Sequence, residues 1–393
     1  MISMRKLEQV DNLQGKTVIL RLDLNMPVKA GKFVDLTRLK RSIPTINHLI
    51  NSGCKVVIIS HMGRPKGEFV RSLSLGPFVD EIEKLLNKKI RFATNCIGEK
   101  VKGKIASMNP RDIILLENLR FHIGEETNDA KFSEQIASLG DIFVNDAFSC
   151  SHRSHTSVEG ITKFLPSFAG FALASELENI EKLLSKPEKT FTALVGGSKI
   201  STKLNLLSTF LDKVDYLILG GGIANTCLQA LGHDLGSSLV DLAFLAQAEE
   251  IMKKAKNTQV LLPEDFVVKG SSGKISIKKL GNIASDDMIM DVGPHFSAKA
   301  AEIINNSKTV IWNGPLGVVE SPKYVGSSSY IARHIASSTQ EGKIKSIIGG
   351  GDTTALLQTL GLIDCVTYTS TGGGAFLAWL EGEPLPGIAA LSK

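Results

Sequence analysis

The chain has 393 residues, 43% of them hydrophobic and 22% charged, with a formal net charge of +5. That length suggests two domains, and the composition is that of a globular protein rather than a disordered or fibrous one. No apolar run reaches the length of a membrane span, and the start MISMRKLEQV has no signal-peptide core. Five cysteines without a C-x-x-C pair argue against a disulfide framework or zinc site and for a reducing, cytoplasmic setting.

Short apolar runs alternate with amphipathic stretches along the whole chain. In the first half TVILRLDL (17–24), KVVIIS (55–60), DIILLENL (112–119) and DIFVNDA (141–147) read as strands. DLTRLKRSIPTINHLINSG and SLGPFVDEIEKLLNK read as helices between them. Continuous apolar strands joined by helices imply parallel sheets covered on both faces. Ligands of such sheets bind at the carboxyl ends of the strands, and polar residues collect there in this chain.

Residues 1–170 hold 25 Lys and Arg against 18 Asp and Glu, whereas residues 171–393 hold 20 against 22. The first half therefore suits an anionic ligand, or simply has a solvated basic surface. Asp23 and Asn25, two apart in RLDLNMP, share one side if the strand continues through them; otherwise they start the turn before Pro27. Arg38 opens the next helix. His61 and Arg64 in SHMGRP, Arg120 in ENLRFH, and His152, Arg153 and His155 in NDAFSCSHRSHTS all follow strands. Arginine forks match phosphate and carboxylate oxygens, so such a cluster suits a small, multiply charged anion. Aromatic residues are too few, at 6%, for a nucleic-acid surface, and the histidines lack a metal-binding spacing.

The segment 171–189, containing ALASELENIEKLLSKPEK, reads as a helix that bridges two domains or covers the first sheet. Beyond it, FTALVGG (191–197), DYLILGGG (215–222), MIMDVG (288–293), TVIWNGP (309–315), IKSIIGGGD (344–352) and CVTYTSTGGG (365–374) read as further strands of the same style. Glycine turns leading into helices bring backbone amides close to phosphate, although no G-x-x-x-x-G-K-[ST] occurs. Lys199 and Lys203 in GGSKISTK, four apart, would share a helix face near its N-terminus, which an anion there would favour. WNGPLGVVE offers an apolar turn for a base and Glu320 for ribose hydroxyls. GGGDTT offers backbone amides for a phosphate chain. Asp352 is either a magnesium ligand or an N-cap.

Taken in order, RLDLNMP, SHMGRP, LLENLRFH, VNDAFSCSHRSH, GGSKISTK, LGGGIA, WNGPLGVVE, IIGGGDT and STGGGA closely resemble the blocks of the phosphoglycerate kinase family, across almost the whole chain. The ending LEGEPLPGIAAL is similar to that family's, in which the chain returns to its first domain. The resemblance implies an α/β fold of two doubly wound, Rossmann-like parallel-sheet domains facing each other across a cleft. Residues 1–170 with 383–393 would bind 3-phosphoglycerate, 171–189 would form the hinge, and 190–382 would bind the nucleotide.

The reaction implied is ATP + 3-phosphoglycerate ⇌ ADP + 1,3-bisphosphoglycerate with Mg²⁺, carried out by a monomer with no nucleic-acid or membrane partner. By motif match, Asp23, Asn25, Arg38, His61, Arg64, Arg120 and Arg153 would contact the triose acid. Lys203, Glu320, Gly350, Gly351, Asp352 and Thr353 would contact the nucleotide, with Asp352 nearest the metal. Arg38, Lys199 and Lys203 would serve the transfer itself. Ser149, Cys150 and Ser198 depart from many relatives but replace no charged residue. Two other readings are a nicotinamide-dependent dehydrogenase, which lacks a clean G-x-G-x-x-G unit here, and a non-catalytic phosphate-binding protein, which would not need the lysines and Asp352.

Overall fold

Runs of Val, Ile and Leu form two six-stranded sheets in a computed structural model that describes residues 4–26, 28–29 and 32–392. The chain divides at Asn179/Ile180 and again at Gly382/Glu383 into two compact units. The first holds β1 (Thr17–Arg21), the two-residue strands β2 (Val28–Lys29) and β3 (Lys32–Phe33), β4 (Lys55–Ile59), β5 (Arg91–Ala93), β6 (Ile113–Leu116), β7 (Ile142–Asn145) and β8 (Ser167–Ala169). Its helices are α1 (Thr37–Asn51), α2 (Phe78–Leu86), α3 (Glu99–Ala106) and α4 (Ala130–Ala137), with α5 (Phe171–Leu184) beginning at its end.

The first sheet runs β5-β6-β4-β1-β7-β8, parallel throughout. Alternation along its strands builds a core on each face. Val18, Leu20, Val56 and Ile58 pack with Leu39 and Ile46 of α1 and Phe78 and Ile82 of α2. Ile19, Val57 and Ile59 pack with Val101 and Ile105 of α3 and Phe132 and Ile136 of α4. Burial on both faces is why these strands are apolar without interruption.

The second unit holds β9 (Phe191–Val195), β10 (Tyr216–Leu219), β11 (Gln259–Leu261), β12 (Asp265–Lys269), β13 (Ile275–Lys279), β14 (Met288–Val292), β15 (Thr309–Asn313), β16 (Lys345–Gly349) and β17 (Tyr368–Thr369). Between them run α6 (Leu204–Leu211), α7 (Gly221–Ala230), α8 (Leu245–Lys254), α9 (Pro294–Asn305), α10 (Gly326–Gln340), α11 (Gly351–Thr359) and α12 (Gly374–Leu380). The parallel sheet is β11-β10-β9-β15-β16-β17. Leu194, Val310, Trp312 and Ile348 share a core with Phe296, Ile331 and Leu356. The intervening Ala193, Val195, Ile311 and Ile347 are buried as well, so both faces are covered.

One expected strand belongs elsewhere. MIMDVG forms β14 of a separate three-stranded antiparallel sheet, β13-β12-β14, and is not part of the parallel one. Only its last two residues are buried, and β13 alternates exposed and half-buried positions. One open face allows antiparallel pairing to hold with polar residues outward.

The first division of the chain falls inside α5. The buried Asp146 carboxylate accepts the Ala172 and Leu173 amides at the start of that helix, at 2.8 and 3.2 Å. One turn on, Glu176 pairs with Arg41 of α1 at 3.1 Å. After the second division, α13 (Pro386–Ala389) packs in the first unit. The Gly387 amide bonds to Ser151 O at 2.9 Å, Leu391 O accepts the Arg5 amide at 3.0 Å, and Ile388 and Leu391 are buried.

Candidate functional site

In the first unit the polar residues gather beyond the carboxyl ends of four adjacent strands, β6, β4, β1 and β7. β1 ends at Arg21, so Asp23 and Asn25 lie in the following loop and not on one strand face. There the Asp23 carboxylate accepts the Asn25 amide at 2.9 Å, and Asn25 Oδ1 accepts the Gly63 amide at 2.9 Å. Pro27, the turn residue, lies outside the described residues. Arg38 sits in the first turn of α1, where a positive charge opposes the helix dipole; Asp23 at 3.0 Å offsets it.

Arg120 is buried, donating to Gly63 O at 2.6 Å and lying 3.4 Å from Glu126. Arg153 donates to His152 Nε2 at 3.2 Å. Arg64 is exposed and makes no ion pair among the described residues. The cluster therefore joins Asp23, Asn25 and Arg38 directly, and links Asn25 to Arg120 through Gly63.

Sequence reasoning missed Arg21. It closes an apolar strand, yet is only 1% exposed. Its guanidinium donates to Ser157 Oγ at 2.9 Å, Ser60 Oγ at 3.3 Å, the Leu22 carbonyl, and His61 Nδ1 at 2.9 Å. The only available signal was a charge inside a run otherwise sealed by Val, Ile and Leu.

The histidines add little charge here. Burial first, and the neighbouring arginines second, hold His61 well below the usual histidine range and His155 down to about 3. Burial and Arg153 also lower His152. At neutral pH the positive potential comes from arginine.

In the second unit a cavity of about 580 Å³ is lined by the glycine turns at Gly197 and Gly221, the Pro315–Gly317 turn, Glu320 and Asp352. Gly196 lets the β9 and β15 loops touch, since a Cβ there would lie 1.9 Å from Pro315 O. Gly350, at φ +91, is the N-cap of α11, and Gly351 and Asp352 are exposed in its first turn. Asp352 is thus not the N-cap, and its carboxylate pairs with no cation among the described residues. Thr353 is buried, and its hydroxyl accepts the Gly314 amide at 3.0 Å, which pins the glycine–proline turn.

Lys199 and Lys203 do not share a helix face. A 3₁₀ turn (Ile200–Thr202) separates them, and Lys203 is the N-cap of α6. The Lys203 ammonium donates to Asn313 Oδ1 at the end of β15. Burial lowers its pKa to about 8, against an opposing pull from Glu381. Asn313 was not singled out in the sequence, although it stands in the WNGP turn.

Two doubly wound sheets with loaded carboxyl ends, one rich in arginine and the other in glycine turns, define an α/β protein of the phosphate-binding class. The profile of the family described as phosphoglycerate kinase matches residues 7–383. Proteins named phosphoglycerate kinase from a Wolbachia of Brugia malayi and from Orientia tsutsugamushi strain Ikeda are 45% and 47% identical. The alignments cover all of this chain and 99% and 98% of theirs.

Among solved structures, phosphoglycerate kinase from Coxiella burnetii aligns with a TM-score of 0.86 at 39% identity, covering 99% of both chains. That from Pyrococcus horikoshii OT3 aligns at 0.88 and 30% identity, covering 99% of this chain and 98% of its own. The chain belongs to the phosphoglycerate kinase family.

Proposed function

We propose that the two candidate sites serve that family's reaction, the reversible Mg²⁺-dependent transfer of a phosphoryl group between ATP and 3-phosphoglycerate. The observation that carries this reading is the arginine-rich cluster at the carboxyl ends of the first sheet, where Arg21 and Arg120 are buried and the partly exposed Arg38 pairs with Asp23 at 3.0 Å. Guanidinium forks match both the phosphate and the carboxylate oxygens of 3-phosphoglycerate. Asp23, Asn25, Arg38, His61, Arg64, Arg120 and Arg153 hold the triose acid. The glycine-lined cavity holds ATP or ADP, with Glu320 toward the ribose and the Gly350, Gly351, Asp352 and Thr353 backbone at the phosphates.

The donor set fits magnesium. Asp352 offers an exposed hard oxygen ligand beside amides that suit phosphate, and Mg²⁺ is commonly held by one carboxylate together with phosphates. When bound, the ion neutralises phosphate charge. The chain's own residues supply the rest. The acceptor carboxylate is already ionised at neutral pH, so no general base is required. No covalent nucleophile is required either, because phosphoryl transfer depends on positioning and charge stabilisation. Arg38, Lys199 and Lys203 stabilise the phosphoryl group in flight.

In-line transfer needs reacting atoms about 3–3.5 Å apart. Water must also be kept from the acyl phosphate. The reading therefore includes closure of the two units around a hinge at 171–189. One chain carries both half-sites, so a monomer suffices, and the free cysteines suit a cytoplasmic setting.

A coupled assay with ATP, Mg²⁺ and 3-phosphoglycerate tests the proposal. Turnover is expected. Hydride transfer to a nicotinamide cofactor, or binding of 3-phosphoglycerate without turnover, would each replace it.

A further inference from the structure

We propose that Arg21 is a positioning residue that fixes His61 as its neutral Nε2–H tautomer, making this imidazole an uncharged hydrogen-bond donor to an anionic oxygen in the arginine-rich site. The argument begins with what a guanidinium can do. Arginine carries donors and no acceptor, and stays protonated. Where Arg21 Nη2 meets His61 Nδ1 at 2.9 Å, the imidazole nitrogen must therefore be the acceptor. Nδ1 then carries a lone pair, and the ring proton of neutral histidine resides on Nε2.

The arrangement is held from several sides. Arg21 is 1% exposed and His61 3%. The guanidinium cannot swing away without abandoning Ser157 Oγ, Ser60 Oγ and the Leu22 carbonyl, which it also satisfies. Cys150 Sγ lies 3.7 Å from the same Nη2. Ser60 is itself fixed, donating to the Leu22 carbonyl at 2.7 Å and accepting the Leu24 amide at 3.0 Å. Arg21 closes β1 and His61 follows β4, and the two strands are paired in register up to Arg21 and Ile59. Strand pairing sets the spacing of the two side chains before any ligand arrives.

Protonation at Nδ1 would place an imidazolium N–H against a guanidinium N–H. Burial opposes it first, then Arg21, Arg120 and Arg153, and His155 when charged; Asp23, with a carboxylate oxygen within 4.8 Å of a ring nitrogen, pulls the other way and is outweighed. Nε2 is left without a partner among the described residues. A neutral donor has a specific use here. Arg38, Arg64, Arg120 and Arg153 already supply positive charge, and another cation would cost desolvation and mutual repulsion. The neutral Nε2–H adds direction to anion binding without adding charge.

The nature of the anion rests on the functional reading above, whereas the tautomer does not. The test therefore has two independent arms. In the first, two-bond ¹H–¹⁵N correlation spectra are recorded on the full-length, ligand-free protein labelled at histidine, with His61 assigned by its loss in His61→Gln. Wild type is expected to show an unprotonated Nδ1 and a protonated Nε2, unchanged between pH 5.5 and 8. A protonated Nδ1 or an imidazolium at pH 7 would overturn the proposal. Arg21→Met is expected to populate both tautomers and to let His61 titrate nearer the ordinary histidine range. An unchanged signature in that variant would remove Arg21 from its role. Should Arg21→Met not fold, Arg21→Gln removes the charge and can either donate to Nδ1 or accept from it; a His61 signature in it identical to wild type would equally count against Arg21.

In the second arm, 3-phosphoglycerate binding is measured by calorimetry. His61→Gln keeps an amide donor and is expected to lose less affinity than His61→Phe, by about tenfold, the usual range for one hydrogen bond to a charged group. Equal losses would overturn the donor role. If wild-type protein shows the expected tautomer but does not bind 3-phosphoglycerate, the functional reading fails and the tautomer assignment stands.

Discussion

The Arg38 guanidinium lies 3.0 Å from the Asp23 carboxylate, and the same Nη1 donates to Asn25 O at 3.0 Å. Arg38 is therefore held before a substrate arrives, by the loop that follows the central strand. Pre-placement of this kind lowers the reorganisation needed when charge develops in a transition state. Arg38→Ala is expected to lower kcat by on the order of a hundredfold or more with a much smaller change in KM. Steady-state kinetics decide it, and near-normal kcat would remove Arg38 from the transfer step.

The two sheets predict a partition of ligand affinities. Arg64→Ala and Arg153→Ala should weaken 3-phosphoglycerate binding and leave ATP binding nearly intact. Glu320→Ala and Asp352→Ala should do the reverse. Calorimetry with each ligand alone measures this, and crossed losses of equal size would contradict the division of labour.

Lys203 predicts a pH effect on nucleotide binding. With its pKa lowered to about 8 by burial, the ligand-free protein loses this cation as pH rises through that value. ATP affinity should fall across the same interval, and Lys203→Met should remove the inflection as well as weaken binding. Stability should move oppositely. The folded pKa lies below the ordinary 10.5, so the unfolded chain holds the extra proton between about 8 and 10.5, and this group's contribution rises with pH there. A flat affinity profile in wild type would rule out the charged ammonium as a phosphate contact.

Asp146, which follows β7 and caps the start of α5 with its carboxyl group, predicts a second, opposite dependence. Burial raises its pKa from 3.8 to about 7. Between those values the folded protein holds the extra proton, so this group's contribution to stability falls as pH rises from about 4 to 7. Asp146→Asn keeps a carbonyl for the Ala172 and Leu173 amides but cannot ionise. Its urea midpoint relative to wild type should be more favourable at pH 8 than at pH 5. The reverse order would show that the carboxylate is stabilised in place.

Closure predicts a change in size. Small-angle scattering should give a smaller radius of gyration for the protein with 3-phosphoglycerate and a non-reactive ATP analogue than for the free protein. Either ligand alone should act only partly, because only the pair engages both units. An unchanged radius with both bound would count against the hinge.

Much of the architecture was legible because burial on both faces leaves a plain trace. TVILR, KVVII and TVIWN each hold an unbroken apolar run (VIL, VVII and VIW), and each is a parallel strand in the middle of a sheet. The same cue failed at MIMDV, where an apolar run serves a sheet with one open face, and local sequence does not distinguish the two. The position of the cationic cluster was legible from residues that follow strands. Its internal wiring was not. For Asp23 and Asn25 the sequence left a strand face and a turn equally open, because the apolar pattern runs on to Leu24, whereas pairing stops at Arg21. Lys199 and Lys203 have helical spacing, yet the turn between them is 3₁₀. Arg21 was overlooked because a partner such as His61, 40 residues away, is brought near by strand order and not by sequence.

The return of the chain to its first unit has a consequence for how the protein is made. Residues 180–382 form an uninterrupted unit, whereas the first unit takes Ile388 and Leu391 into its interior only after that whole segment has been synthesised. Domains ordinarily fold in the order in which they leave the ribosome. Here the order of completion is inverted: the later-made unit has all its residues first, and the arginine-bearing unit waits for its final piece.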